Sequence, residues 1–220
     1  MYSNESSTDP YYLPPTVATS KKIDLLEKME GSNKDILFFS AINGGVFRNP
    51  DGIRKHHHKI VGIIAPTMSI SKKVDSLLEP LRSKYAHVVG VHIRQSDYKT
   101  FKNGKYFVDQ VRFVEILREY LRNYGKSAQE VGFVVASDGP VDLSLFYELN
   151  VTVSKNDVVT DLFTLASCNA VIGSDSTLSH FAAYYGDIPH VIAKNEVMDW
   201  NYYLNKKTYF PNKYLTIMLY

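Results

Sequence analysis

Three side chains able to hold or move charge, His92, Arg94 and Asp97, follow one another at the end of a β-branched run, Val88-Val89-Gly90-Val91-His92-Ile93. An arginine in that position offers a planar fork of five donors, which can grip a phosphate through two parallel hydrogen bonds. It can as readily pair with Asp97. A second stretch, Val171-Ile172-Gly173-Ser174-Asp175-Ser176-Thr177-Leu178-Ser179, repeats the logic. Gly173 admits close approach of a ligand to the backbone. Ser176 and Thr177 would set amides and hydroxyls at the first turn of a helix, whose partial positive charge seats a diphosphate. Capping by Ser174, Asp175 or Ser176 explains one such residue but not four in a row. Together the two stretches read as an anion clamp. Alternation along the strand turns His92 and Arg94 the same way.

A third polar pair, Ser137-Asp138, closes the apolar run Val131 to Ala136. The Asp138 carboxylate suits the amino and imino groups of a guanine, and suits equally well the capping of a helix beginning at Pro140. Asp161 is read on a helix facing the same edge, either in contact with ligand or set against the helix dipole. The segment Tyr98 to Tyr106 is long, basic and aromatic, which fits a lid or acceptor contact as well as a solvated loop. Asp-x-Asp, G-x-x-x-x-G-K-[ST] and G-x-G-x-x-G patterns are all missing, so the expected phosphate chemistry is metal-free and needs no cofactor. A phosphohydrolase using His92 lacks an acid partner or metal. The triplet His56-His57-His58 reads as a solvated basic turn, because consecutive side chains do not converge on one ion.

The elements that must position these groups alternate. Ile70, Val74, Leu77, Leu78, Leu81 and Tyr85 form a helical stripe with a kink expected at Pro80. The strand at 88–93 follows, then a helix on Val111, Val114, Leu117 and Leu121, ending near Gly125. After the strand at 131–136 come a short helix at Leu143–Leu149 and a short strand at Val151–Val153. A helix capped by Asp157 buries Val158, Leu162, Leu165 and Ala166. The strand Ala170–Gly173, a helix from Ser176 to Tyr185 facing the core with Leu178, Phe181, Ala182 and Tyr185, and a strand Pro189–Ala193 complete the pattern. Strands alternating with helices predict an α/β, Rossmann-like parallel sheet covered on both faces. Ahead of it the sequence suggests a disordered or extended arm at 1–20, a short helix at Ile23–Met29, a strand at Ile36–Phe39 and a break at Asn43-Gly44-Gly45. After Lys194 it suggests a surface helix and tail.

Composition narrows the function classes. With 220 residues, 45% hydrophobic and 22% charged, the chain can bury a sizeable core. A net charge of +2 argues against nucleic acid as a partner. The single cysteine, Cys168, is read as core. Neither an apolar run long enough to span a membrane nor a secretion signal is visible, so a cytoplasmic location is expected. Oligomerisation is compatible with all of this.

His92-Ile93-Arg94-Gln95-Ser96-Asp97-Tyr98 resembles the H-x-R-x-x-D-Y motif of the fucosyltransferase superfamily, which includes α-1,2-, α-1,6- and protein O-fucosyltransferases. Val134 to Asp138 is similar to that superfamily's second motif. Asp161-Leu162 through Cys168, then Ile172-Gly173 and Ser176 to Ser179, is similar to its third. Residues 86–193 carry the likeness. It implies the C-terminal nucleotide-binding half of a GT-B glycosyltransferase, spanning 86–220, after a shortened N-terminal region at 21–85. It implies an inverting, metal-independent transfer from GDP-fucose to a glycan or protein hydroxyl. By the same likeness Arg94 meets the β-phosphate, Ser176, Thr177 and the Leu178 backbone hold the diphosphate, Asp138 reads guanine and His92 lies beside the donor. Asp97, Ser137 and Asp161 complete the expected donor site, with Arg94 and His92 as its catalytic pair. Ser96, Gln95 and His180-Phe181 depart from the pattern where many members carry glycine, a second basic residue and tandem tryptophans. The shortened N-terminal region leaves a non-catalytic nucleotide-binding module as the rival reading.

Overall fold

The computed structural model describes residues 55–204. The readings made for the arm, Ile23–Met29, Ile36–Phe39, Asn43–Gly45 and the tail beyond residue 204 lie outside the described residues. In chain order the elements are α1 (His57–Ile63), α2 (Met68–Lys84), β1 (His87–Ile93), α3 (Gln110–Asn123), β2 (Val131–Ser137), β3 (Val151–Val153), α4 (Val158–Ala166), β4 (Ala170–Gly173), α5 (Thr177–Gly186), β5 (His190–Ile192) and α6 (Trp200–Leu204). Short 3-10 turns lie at Asp97–Lys99, Phe101–Gly104, Ala128–Glu130 and Leu143–Phe146.

The five strands pair in parallel throughout, in the order β3-β2-β1-β4-β5. The chain steps outward from β1 to β3 and then returns to place β4 on the other side of β1. That reversal between β1 and β4 leaves a crevice beyond the carboxyl ends of the two strands, the usual ligand position in open α/β sheets.

Side-chain alternation explains why the sheet is covered twice. Val89, Val91, Ile93, Phe133 and Val135 pack beneath Phe113, Ile116, Leu117 and Tyr120 of α3. Val88 and Val134 point the other way, into Val74, Leu78 and Leu81 of α2 and Phe163 of α4. Each fully buried aliphatic or Phe side chain is worth roughly 1.5–3 kcal/mol of transfer free energy, so a strand apolar on both faces is stable only between two helical layers. The expected α/β class is the one adopted, and α2, ahead of residue 86, shares the core of this sheet.

α2 is one 17-residue helix that carries Pro80 inside it, with Leu78 and Leu81 buried on both sides of the proline. Several other local expectations give way to packing. Val111 and Val158 are 54% and 62% exposed, so the buried faces of α3 and α4 are turned toward Phe113, Ile116 and Tyr120 and toward Phe163 and Leu165 instead. The helix expected at Leu143–Leu149 shortens to a 3-10 turn capped by Asp142. His56 is buried, and His57 opens α1 with its Nε2 2.7 Å from the Tyr184 carbonyl and its ring edge-on to Tyr184. The triplet is therefore a docked helix start, not a solvated turn. Tyr203 of α6 is buried against the α3 side of the sheet, so that helix is part of the core rather than a surface appendage. Cys168 is buried, as read, and donates to the Thr164 carbonyl.

Gly186, the last residue of α5, lies against the main chain of α4, where an added Cβ would strike the Ala166 carbonyl oxygen and stand 3.3 Å from the Ala166 Cα. Backbone cannot yield as a side-chain tip can. Gly186→Ala is expected to destabilise the fold by about 1–3 kcal/mol, seen as a lower urea midpoint at unchanged m-value.

Candidate active site

Arg94 leaves the end of β1 and is held by acids from two directions. Its Nε lies 2.7 Å from Asp97 Oδ1 and 3.2 Å from Asp138 Oδ2. Asp97 starts the turn after β1, and Asp138 follows β2, the neighbouring strand. Both acids engage Nε, and neither terminal nitrogen of the guanidinium bonds within the described residues. The structural alternative seen in the sequence, an Arg94–Asp97 pair, is therefore real, and it still leaves the two-pronged end of the fork for a ligand.

Arg94, Asp97 and the start of α5 (Ser176, Thr177 and Leu178) line one cleft of about 450 Å³ at the β1–β4 crevice. Ser176 is the N-cap, its hydroxyl accepting from the Leu178 amide. The loop beneath is fixed by half-buried contacts. The Arg94 amide donates to Ser174 Oγ, the Tyr98 hydroxyl donates to the Asp175 carbonyl at 2.7 Å, and the Asp175 carboxylate lies 3.1 Å from His180 Nε2. Each contact crosses between the β1 and β4 ends or ties the loop to α5.

His92 does not line this cleft. Its ring is 3% exposed and lies on the α5 side of the sheet, with Nδ1 2.6 Å from Ser179 Oγ. Ser179 in turn donates to the Ser174 carbonyl at 3.0 Å. With the hydroxyl proton so engaged, His92 donates through Nδ1 and Nε2 becomes the acceptor of the ring. Gly173 lies beside this pair. A Cβ there would stand 2.5 Å from Ser179 Oγ and 3.3 Å from His92 Cβ, so its bareness makes room for this pair.

Ser137 and Asp161 hydrogen-bond inward, while Asp138 stands at the surface with its carboxylate bonded to the loop after β1. Ser137 Oγ donates to the Ile93 carbonyl and accepts from Gln95 Nε2. Asp138 accepts from the Gln95 amide at 2.6 Å and from the Ser96 hydroxyl at 2.5 Å, so its carboxylate organises the β1 turn rather than capping a helix at Pro140. Burial pushes its pKa up, but those hydrogen bonds, with Arg94 beside it, hold it below the ordinary carboxylate range. Asp161 is 8% exposed and accepts from Ser154 at the end of β3; burial raises its pKa. It does not line the Arg94 cleft.

Residues 63–214 match the model of glycosyl transferase family 11. The chain belongs to that family. A comparison with curated proteins found no match. Among solved structures, POFUT1 in complex with GDP-fucose is similar at 16% identity over 57% of this chain and 46% of that one, with a TM-score of 0.42. NodZ alpha-1,6-fucosyltransferase soaked with GDP-fucose is similar at 15% identity over 81% and 61%, with a TM-score of 0.45. The chain thus spans less than two thirds of either.

The surroundings of Gln95 explain its amide. It is 7% exposed and donates to Ser137 Oγ and the Pro140 carbonyl, while its Oε1 accepts from Gln110. Sequence reasoning missed Gln95, Ser174 and Ser179, which hold the site without lining the cleft. Their signal was present only as polar residues at positions the helix and strand patterns had to bury.

Burial holds the His92 pKa down at about 4, with Asp138 opposing the shift and Arg94 adding to it; His190 is lowered by burial as well. The folded protein keeps these rings neutral where the unfolded chain takes up protons, so stability present above pH 6.5 is lost as pH falls toward 4. His92 alone accounts for about 3 kcal/mol of that loss. Unfolding in urea at pH 7.0 and 4.5 should show the drop, and His92→Gln should shrink it. Nitrogen-15 NMR of His92 at pH 7 should report the Nδ1–H tautomer, and Ser179→Ala should abolish that preference.

Proposed function

We propose that the chain transfers a sugar from a nucleoside-diphosphate donor, GDP-fucose, to a hydroxyl of a glycan or protein acceptor, with inversion and without a metal. On this reading the described sheet is the donor-binding half of a GT-B enzyme. The observation that carries it is the meeting, in one cleft, of the Arg94 guanidinium, whose terminal nitrogens hydrogen-bond to none of the described residues, with the first turn of α5. Membership of glycosyl transferase family 11 supports the reaction class, and the His92–Tyr98 motif supports the choice of donor.

The acceptor hydroxyl gives up its proton to water as its oxygen bonds the anomeric carbon from one face and the bond to the diphosphate oxygen breaks on the other. Negative charge gathers on the departing phosphate. The Arg94 fork and the Thr177 amide are donors for that charge, and one such pre-placed donor is typically worth about 3–4 kcal/mol of transition-state stabilisation. Asp97 and Asp138 hold Nε and so set the direction of the fork before the donor arrives. His92, neutral and fixed by Ser179, stands behind the same strand end. Asp138 then acts through Arg94 and the 95–96 amides, in place of the direct guanine contact that the motif alone implies.

Arg94→Ala should lower transfer at least 100-fold and weaken GDP binding measured by calorimetry, with the urea midpoint little changed because that side chain is at the cleft edge. Unaltered transfer in this variant ends the proposal. Tighter binding of UDP than GDP removes the fucose assignment, and GDP binding without transfer or donor hydrolysis favours the non-catalytic module.

A further inference from the structure

Arg94 and the start of α5 come from different strand ends, and a clamp made of two such parts grips well only when the gap between them is fixed. One side chain that reaches both is Tyr98. It sits in the 3-10 turn after β1, next to Asp97, and lines the cleft. Its ring lies under the Arg94 guanidinium, with Cζ 5.8 Å from the ring centroid. At the far end of that ring the hydroxyl donates to the Asp175 carbonyl at 2.7 Å, 77 positions along the chain. Asp175 directly precedes Ser176, the N-cap of α5.

A guanidinium is planar and has an edge and a face. Asp97 holds the edge through Nε, and the neighbouring Tyr98 meets the face, a favourable place for a cation on an aromatic ring. The phenol ring is rigid, so its covalent geometry sets the distance from that contact to the hydroxyl. Burial raises the Tyr98 pKa, which keeps the hydroxyl a donor. The ring is itself braced, with its centroid 6.0 Å from that of Phe101 and 6.2 Å from that of Tyr106, which lie 6.0 Å from each other. The loop doubles back to bring those two rings together, through φ of +46° at Lys102, +59° at Asn103 and +75° at Gly104. Left-handed backbone at two non-glycine residues is strained, and persists where surrounding contacts impose it.

Filling the loop would account for the packing of Tyr98 on Phe101 and Tyr106. It does not account for one end of the ring lying on each half of the clamp. We propose that Tyr98 is a positioning residue, which holds the Arg94 fork and the first turn of α5 at the separation a diphosphate requires. This role rests on the reading of Arg94 and α5 as the diphosphate seat.

The test uses the full chain, with binding of GDP and GMP followed by calorimetry. A diphosphate spans both halves of the clamp, whereas a monophosphate is held by either one. Tyr98→Phe keeps the ring under Arg94 and removes the tie to Asp175, so GDP affinity should fall about 5-fold, the usual net worth of one hydrogen bond, with GMP affinity held within about 2-fold. Coupling is read from a double-mutant cycle. In an Arg94→Ala chain, Tyr98→Phe should change GDP affinity by less than about 2-fold, because one of the two parts it aligns is gone. Additive losses in the cycle, unchanged GDP affinity in Tyr98→Phe, or equal falls for GMP and GDP would each overturn the assignment. Failure of the wild-type chain to bind GDP is a distinct result, which removes the diphosphate seat and the positioning role with it.

Discussion

The site depends on two carboxylates sharing one nitrogen. Asp97 and Asp138 converge on Arg94 Nε from the ends of adjacent strands, and the parallel β1–β2 register, Ile93 against Ser137, brings those ends level. A free arginine side chain has many rotamers, and aiming it at a ligand costs entropy each time. Two acids on Nε settle that orientation during folding. The terminal nitrogens are left over because the acids approach from the side.

A second layer of polar contacts holds the other half of the cleft. His92, Ser174, Ser179 and His180 are all buried between the sheet and α5. Polar groups removed from water are costly unless bonded. Here the bonds form a chain from His92 through Ser179 to the Ser174 carbonyl, and from Ser174 Oγ to the Arg94 amide. The chain joins β1, the β4–α5 loop and α5, so displacing one member disturbs the others. Gly173 is part of this arrangement, since only a residue without a side chain lets Ser179 and His92 approach.

The legible features were those with a strong local signal. The β-branched run before Arg94, the cap at Asp157, the five parallel strands and the convergence of Arg94 with Ser176–Leu178 could all be read from pattern and spacing. Reading failed where a buried face was not apolar. The stripe Leu178, Phe181, Ala182 and Tyr185 misplaced the core face of α5, whose buried residues include Ser179 and His180. On α3 only Val111 of the expected stripe is exposed, and Val114, Leu117 and Leu121 are buried. For Ser137 and Asp138 the pattern marked a polar pair at a strand end, and only the fold shows that the loop after β1 bonds to both.

The sequence by itself determined that this chain forms a parallel α/β sheet with an arginine at one strand end and a helix start at another, because apolar periodicity and capping chemistry are local and survive without knowledge of neighbours. Only the tertiary structure decided that Asp97 and Asp138 meet on one nitrogen, that Ser179 faces His92, and that the aromatic loop closes the cleft containing Arg94. Those contacts join residues up to 87 positions apart. Their partners are chosen by strand order, and strand order is a property of the assembled sheet rather than of any segment in it.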